Sequence, residues 1–381
     1  MEEIVMFMLR MRLFVLLFAL MPLVGHSQAE SENAILIGQS AALTGPAQAL
    51  GTDMKAGIEA YFRYVNSRGG VNGRKLVLKS LDDGYEPDRA KANTQQLIEK
   101  EKVLALLGYV GTPTANASLP VFTQAKVPFI GAFTGAQSLR EPFNRYIFNV
   151  RASYFDETEA IVEHLSREGI KKIAVFYQDD AYGLAGLAGV ERAMKKIGLP
   201  IVAKATVERN TVAVKKAVDT FSKSDIQATV MISAYKSCAA FIREMKKAGS
   251  GSQYWNVSFV GSKALATELG DEGRGVQISQ VVPFPWSAGT AVVNEYQKII
   301  SPDGKDIYNF SSLEGFIAAK VLVEGLKRAG KHITRESLID GLEKMGKTDL
   351  GGFNVTYSPT NHNGSQYVDL TIISKNGTFM R

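Results

Sequence analysis

The residues with most to offer chemically sit where apolar runs stop. Val103–Leu107 gives way to Gly108-Tyr-Val-Gly-Thr112-Pro-Thr114, and Pro128–Ala132 gives way to Phe133-Thr134-Gly135. Each is a strand followed by a turn rich in hydrogen-bond donors. The first turn opens a helix, whose free N–H groups and positive end favour an anion, and its threonine hydroxyls add donors. The two turns follow neighbouring strands, so Thr112, Thr114 and Thr134 could grip one carboxylate together. Simple N-capping by Thr112 or Thr114 is the competing explanation. Further on, Asp179-Asp-Ala-Tyr182-Gly183 follows Ile173–Tyr177, and Ala234-Tyr235 follows Thr229–Ser233. Tyrosines in strand-end loops suit the wall of a cleft. Tyr85, in Asp82-Asp83-Gly84-Tyr85, has a similar place after Leu76–Leu81. For all three tyrosines a packed turn is the alternative.

Signatures of catalysis are mostly absent. The chain has no GxxxxGK[ST] phosphate loop, no GxGxxG after its first strand, no GxSxG elbow and no HExxH. His164, His332 and His362 lie at no metal-ligand spacing, and the lone Cys238 permits neither an internal disulfide nor a cysteine cluster. Ser233-Ala-Tyr-Lys236 matches SxxK, a nucleophile motif. It stands at a strand end instead of opening a helix, and no KTG accompanies it. No metal or cofactor is therefore expected, and a hydrolase on Ser233 and Lys236 stands as a distant reading.

These loops need elements to carry them, and the hydrophobic pattern supplies two rounds of alternating strand and helix. The first runs through strands at Ile35–Ser40, Leu76–Leu81, Val103–Leu107 and Pro128–Ala132, with helices at Gly51–Arg68, Asp88–Lys100 and Thr114–Ala125. The second begins with a helix at Phe155–Glu168. It continues through strands at Ile173–Tyr177, Ala203–Val207, Thr229–Ser233 and Phe259–Gly261, with helices at Leu184–Ile197, Val212–Ser222 and Ser237–Lys247. Val276–Pro283 reads as a strand that leaves this round. Tyr308–Ala329 and Thr334–Lys344 read as helices, and the tail Gly351–Phe379 as β. Two α/β lobes with doubly wound parallel sheets follow, their functional loops at the carboxyl ends of the strands.

Composition agrees. The 381 residues are 45% hydrophobic and 22% charged, an ordinary globular balance. The net charge of +6 has a local cause, because basic residues precede helix-ending glycines at Gly69, Gly169, Gly198, Gly249 and Gly330. Nucleic-acid binding would need those charges on one face with stacking aromatics, and is not expected. At the start, Arg10 and Arg12 precede the apolar run Leu13–Val24 and small residues at Ser27 and Ala29. This reads as a secretory signal peptide over residues 1–29. The run is short of the roughly 20 residues of a membrane span.

Several segments, in order, resemble the periplasmic binding proteins of ABC importers, in the branch that binds leucine, isoleucine and valine. They are Gly38-Gln-Ser-Ala-Ala-Leu-Thr-Gly45, Asn66-Ser-Arg-Gly-Gly-Val-Asn-Gly73, Asp82-Asp83, Val127-Pro128-Phe-Ile, Phe148-Asn-Val-Arg151, Asp180-Ala-Tyr-Gly183 and Glu314-Gly-Phe. The resemblance implies the type I periplasmic binding fold, with two lobes joined by three crossovers. Lobe one would hold 30–151 and 283–347, and lobe two 152–282 and 348–381. The family's ligand-binding positions fall on Thr112, Thr114, Ala132 (through its backbone), Thr134, Tyr182 and Tyr235, with Phe310 as an apolar wall. Where amino-acid binders place a glutamate for the ligand ammonium, this chain has Lys263. Either another acid such as Asp180 takes that role, or the ligand is an organic acid, an aromatic acid or an amide, or Lys263 points to solvent. The implied function is capture of a small carboxylate-bearing solute in the periplasm by a monomer that delivers it to an ABC permease. A ligand-sensing partner of a membrane receptor is the alternative.

Overall fold

Strands that read as unbroken apolar runs need cover on both faces, and parallel sheets provide it. The computed structural model describes residues 34–381, so the signal peptide expected at 1–29 lies outside the described residues. The first sheet comprises β1 (Ala34–Ala41), β2 (Lys75–Asp82), β3 (Ala105–Leu107), β4 (Phe129–Ile130) and β5 (Ile147–Phe148), in the order β2-β1-β3-β4-β5 and parallel throughout. The second holds β6 (Ile173–Gln178), β7 (Ala203–Val207), β8 (Ala228–Ile232), β9 (Gln253–Asn256) and β10 (Gln277–Gln280). Their order, β7-β6-β8-β9-β10, repeats that of the first sheet, and the antiparallel β13 (Asp369–Ile373) and β14 (Phe379–Met380) extend it beyond β10. The molecule is an α/β protein of two doubly wound lobes. In this order the loops part company between the first and third strands of each round, which is where such sheets bind ligands.

The helices are α1 (Gln48–Ser67), α2 (Pro87–Glu99), α3 (Thr112–Gln124), α4 (Tyr154–Arg167), α5 (Ala181–Lys196), α6 (Lys215–Phe221), α7 (Tyr235–Lys247), α8 (Ser262–Leu269), α9 (Ala291–Ile300), α10 (Phe310–Arg328) and α11 (Arg335–Glu343). Gly198 and Gly249 follow α5 and α7 at φ 71° and 80°, closing helices that end in Lys195-Lys196 and Lys246-Lys247 as their sequences predict. α10 is buried along most of its length and lies against α1 so closely that a Cβ on Gly57 would meet the Ser312 carbonyl oxygen at 1.8 Å. This pairing returns a late piece of chain to lobe one.

Three segments pass between the lobes, 149–153, 281–290 and 358–368. The hairpin of β11 (Gly346–Asp349) and β12 (Asn354–Tyr357) lies against lobe one. Val292 of α9 donates to the Gly351 carbonyl at 2.8 Å, and the Tyr357 ring meets Phe148 edge-on at 5.5 Å while its hydroxyl donates to Asn149 O. Of the tail from residue 348, β13 and β14 enter the second sheet.

Local differences from the sequence pattern have local causes. The strand expected at Phe259–Gly261 lies earlier, at Gln253–Asn256, and Ser258–Val260 is a 3-10 turn ended by Gly261 in the left-handed region. Val276–Pro283 was expected to leave the sheet, whereas β10 pairs with β9 and β13 inside it. Leu184, the apolar residue that begins the helix expected at Leu184–Ile197, is 54% exposed on α5.

Candidate functional site

The turn after β3 delivers Thr112 through Gly111, whose φ of 101° an L side chain rarely adopts. A Cβ there would also lie 2.2 Å from the Tyr85 ring. Among the described residues no side chain caps α3, so the capping role open to Thr112 and Thr114 is not taken up. The Thr112 hydroxyl meets that of Thr134 at 2.6 Å, and both side chains are buried. Thr134 is presented by the turn after β4 and lies 3.2 Å from the Tyr154 hydroxyl. The backbone of Ala132 closes this turn by accepting from Thr134 N at 2.8 Å. Thr114 instead donates back to Val110 O and Gly111 O, at 2.5 and 3.0 Å. Its hydroxyl serves its own turn.

Lobe two brings rings to this pair. Asp180 caps α5, accepting from Tyr182 N and Gly183 N, and so fixes Tyr182 at the helix start. The Tyr182 ring lies 5.5 Å from Tyr154 and 4.6 Å from Phe259. Phe259 crosses to lobe one, 5.3 Å from Phe133 and 5.9 Å from Tyr85. The Tyr85 hydroxyl accepts from Gln178 Nε2 at 3.3 Å, a further link between the lobes. All five rings are 1% exposed or less, and burial pushes the Tyr154 phenol up to about 12.

The remaining sequence candidates lie elsewhere. Tyr235 opens α7 and its hydroxyl reaches the Ala49 backbone of α1, at the lobe boundary but outside the ring cluster. Phe310 packs with Phe284, Trp286 and Phe379 at 5.6–5.9 Å, in a separate aromatic cluster. Lys263 is exposed on α8. Ser233 is buried and Lys236 exposed, so the SxxK pair is not assembled. A groove of about 580 Å³ between α6 and α7 is lined by Val212, Val218 and Arg243, and none of the candidate residues reaches it.

Sequence reasoning missed Phe259, Phe133, Tyr154 and Arg151. Phe133 lies within the flagged turn Phe133-Thr134-Gly135, and Tyr154, just before the expected helix Phe155–Glu168, donates from its backbone to Gly135 O of that turn. Phe259 was hidden in an expected strand. Arg151 is 1% exposed on the first crossover, with Glu157 of α4 at 3.0 Å and Glu314 of α10 at 3.4 Å. Burial opposes its charge, but Glu314 and Glu157 outweigh that and raise its pKa. Burial pushes Glu314 up to about 7 against the pull of Arg151. Among the described residues no group of His, Cys, Asp and Glu could hold a metal ion.

Buried hydroxyls of lobe one and buried rings of both lobes thus meet at the boundary between two repeated α/β lobes. The family profile described as periplasmic binding protein matches residues 34–378. The chain belongs to the periplasmic binding protein family. It is 35% identical to a possible leucine/isoleucine/valine-binding protein from Rhodopirellula baltica, with a TM-score of 0.88 over 92% of this chain and 96% of that one. A substrate-binding periplasmic protein from Ralstonia solanacearum is 31% identical, with a TM-score of 0.85 over 91% of this chain and 99% of that one. Leu/Ile/Val-binding protein homolog 7 of Brucella abortus is 24% identical over 88% of this chain and 89% of its own. These relatives are binding proteins, not enzymes.

Two side chains of the binding protein also bridge its lobes, in the manner of a latch. Arg209, in the loop after β7, pairs with Glu86 of lobe one at 2.8 Å and with Asp180 of lobe two at 3.3 Å. Asn210 donates to Gly84 O and Glu86 Oε1 across the same gap, at 3.1 and 2.7 Å. Partly exposed pairs contribute at most about 1 kcal/mol. Glu86→Ala is therefore expected to raise the Kd for a bound solute by about fivefold, through faster release. Stopped-flow release kinetics would check this, and an unchanged dissociation rate would show that the latch does not hold the closed form.

Proposed function

We propose that this periplasmic binding protein captures a small carboxylate-bearing solute between its lobes and presents it to an ABC permease of the inner membrane. The reading rests chiefly on one observation. The Thr112 and Thr134 hydroxyls, buried and 2.6 Å apart on lobe one, face rings contributed by lobe two. Each hydroxyl carries one proton, and both can turn to the two oxygens of one carboxylate. The start of α3 adds its positive end at the same place. Lobe two then closes with Tyr182 and Phe259. Closure is driven only by contacts absent from the open form, because a ligand bound equally to both shifts nothing. The similarity to proteins named for leucine, isoleucine and valine supports a solute of amino-acid size. The leader expected at residues 1–29 supports a periplasmic location, and no helix among the described residues is long and apolar enough to cross a membrane.

The test is a thermal-shift and calorimetric titration with amino acids, aliphatic acids and aromatic acids. A solute that binds the native state raises its stability by RT ln(1 + [L]/Kd). Hydrogen bonds to a charged group contribute about 1.5–3 kcal/mol each, so Thr112→Ala with Thr134→Ala should weaken binding by about 100-fold or more. Unchanged affinity in that double variant would remove the anion site from the account.

A further inference from the structure

The chemistry left unsatisfied around the rings narrows the solute class, and this step rests on the function proposed above. Consider first where an ammonium could go. Three carboxylates adjoin the rings, and each is already engaged. Asp180 accepts from Tyr182 N and Gly183 N on one oxygen, and from Gln178 Nε2 and Arg209 Nη1 on the other. Glu157 accepts from Arg151, from Ser258 N and Oγ, and from Ser279 Oγ. Asp83 accepts from Ser40 Oγ at 2.6 Å and Tyr85 N at 2.8 Å. Asp53 of α1 is bound by Asn309 and lies near Tyr235 and Tyr296, away from the ring cluster. Aromatic faces can also hold a cation. Here the Phe133 and Tyr154 faces already carry the Arg151 guanidinium, 5.2 and 5.9 Å from the ring centres. Lys263 stands exposed on α8 and supplies no negative charge.

Consider next what lobe two leaves open. The Tyr182 hydroxyl is fully buried and has no hydrogen-bond partner among the described residues. The same holds for the Ser233 hydroxyl at the end of β8. Cys238 links the two neighbourhoods, since its thiol donates to Ser233 O at 3.4 Å and it is an electrostatic neighbour of Tyr182. Buried polar groups are nearly always satisfied, so an orphaned hydroxyl on a ring packed at the lobe boundary points to a polar group on the ligand.

We infer that the solute is a flat aryl carboxylate that carries no ammonium group and has a second, uncharged oxygen at its far end. Its carboxylate meets Thr112 and Thr134, its ring lies among Tyr85, Phe133, Tyr182 and Phe259, and its second oxygen meets the Tyr182 hydroxyl. The experiment is calorimetry on the full mature chain with 4-hydroxyphenylacetate, phenylacetate, leucine and 4-methylpentanoate, the deaminated counterpart of leucine. The expected order places 4-hydroxyphenylacetate about tenfold or more tighter than phenylacetate, with both tighter than leucine. Tyr182→Phe should collapse the ratio between the two aryl acids towards one, while circular dichroism confirms that the variant is folded. Leucine binding tighter than 4-methylpentanoate would overturn the inference and leave carboxylate capture in the cleft standing. Equal affinities of the two aryl acids, or no binding by either, would also overturn it. Loss of the role of Thr112 and Thr134 would instead sink the function on which it rests.

Discussion

Arg151→Met is expected to destabilise the folded protein by about 3–5 kcal/mol, read as a fall in the urea midpoint. The reason is the company this side chain keeps. Glu157 is fully buried and comes from lobe two, Glu314 is 3% exposed and comes from lobe one, and Arg151 lies between them on the first crossover. Removing the cation leaves Glu157 without its counter-charge in a place water does not reach. The same change removes the guanidinium from the Ser258 hydroxyl, which keeps only its bond to Glu157. Adding Glu157→Gln to Arg151→Met should recover part of the loss, because one of the two buried carboxylates is then replaced by a neutral amide while Glu314 remains. A loss below about 1 kcal/mol in the single variant would mean that water relaxes into the site and solvates Glu157.

Phe259→Ala is expected to weaken solute binding by roughly 5- to 150-fold. Its ring touches Tyr182 within lobe two, but touches Tyr85 and Phe133 of lobe one only while the lobes are together. Two aromatic contacts at about 0.5–1.5 kcal/mol each amount to about 1–3 kcal/mol of closure energy, which sets that range. The Tyr182 contact persists in the open form and affects stability instead. Calorimetric titration of the variant, paired with small-angle scattering for the closed fraction, separates the two effects. Full closure at wild-type affinity would show that Phe259 packs the lobe-two core without joining the lobes.

How much of this was legible beforehand depends on the range of the interaction. Gly111-Thr112 and Phe133-Thr134 could be read as donor turns because a strand that stops at glycine before a helix start is a local signal. Their meeting at 2.6 Å follows from β3 and β4 being neighbours in the sheet, which the alternation of elements already implied. Thr114 looked equivalent to Thr112, yet two residues along a helix start turn a side chain by about 200°, and its hydroxyl bonds its own turn. Phe259 could not be found, because an aromatic in a short apolar run reads as strand. Its 3-10 geometry depends on Gly261 taking φ 82° beside Leu50 of the opposite lobe.

The amino-acid sequence on its own determined two rounds of strand and helix and the carboxyl ends of the strands as the place to look. Those features follow from periodicity and from turn chemistry, which act over a few residues. The tertiary structure alone decided that the Tyr182 hydroxyl has no partner among the described residues and that Phe310 belongs to another cluster. It also decided that Arg151 is buried between carboxylates of both lobes and that Lys263 faces water. Burial and pairing of this kind are set by chain segments more than 100 residues apart, as Ser258 and Arg151 are, and no local pattern encodes which of them meet.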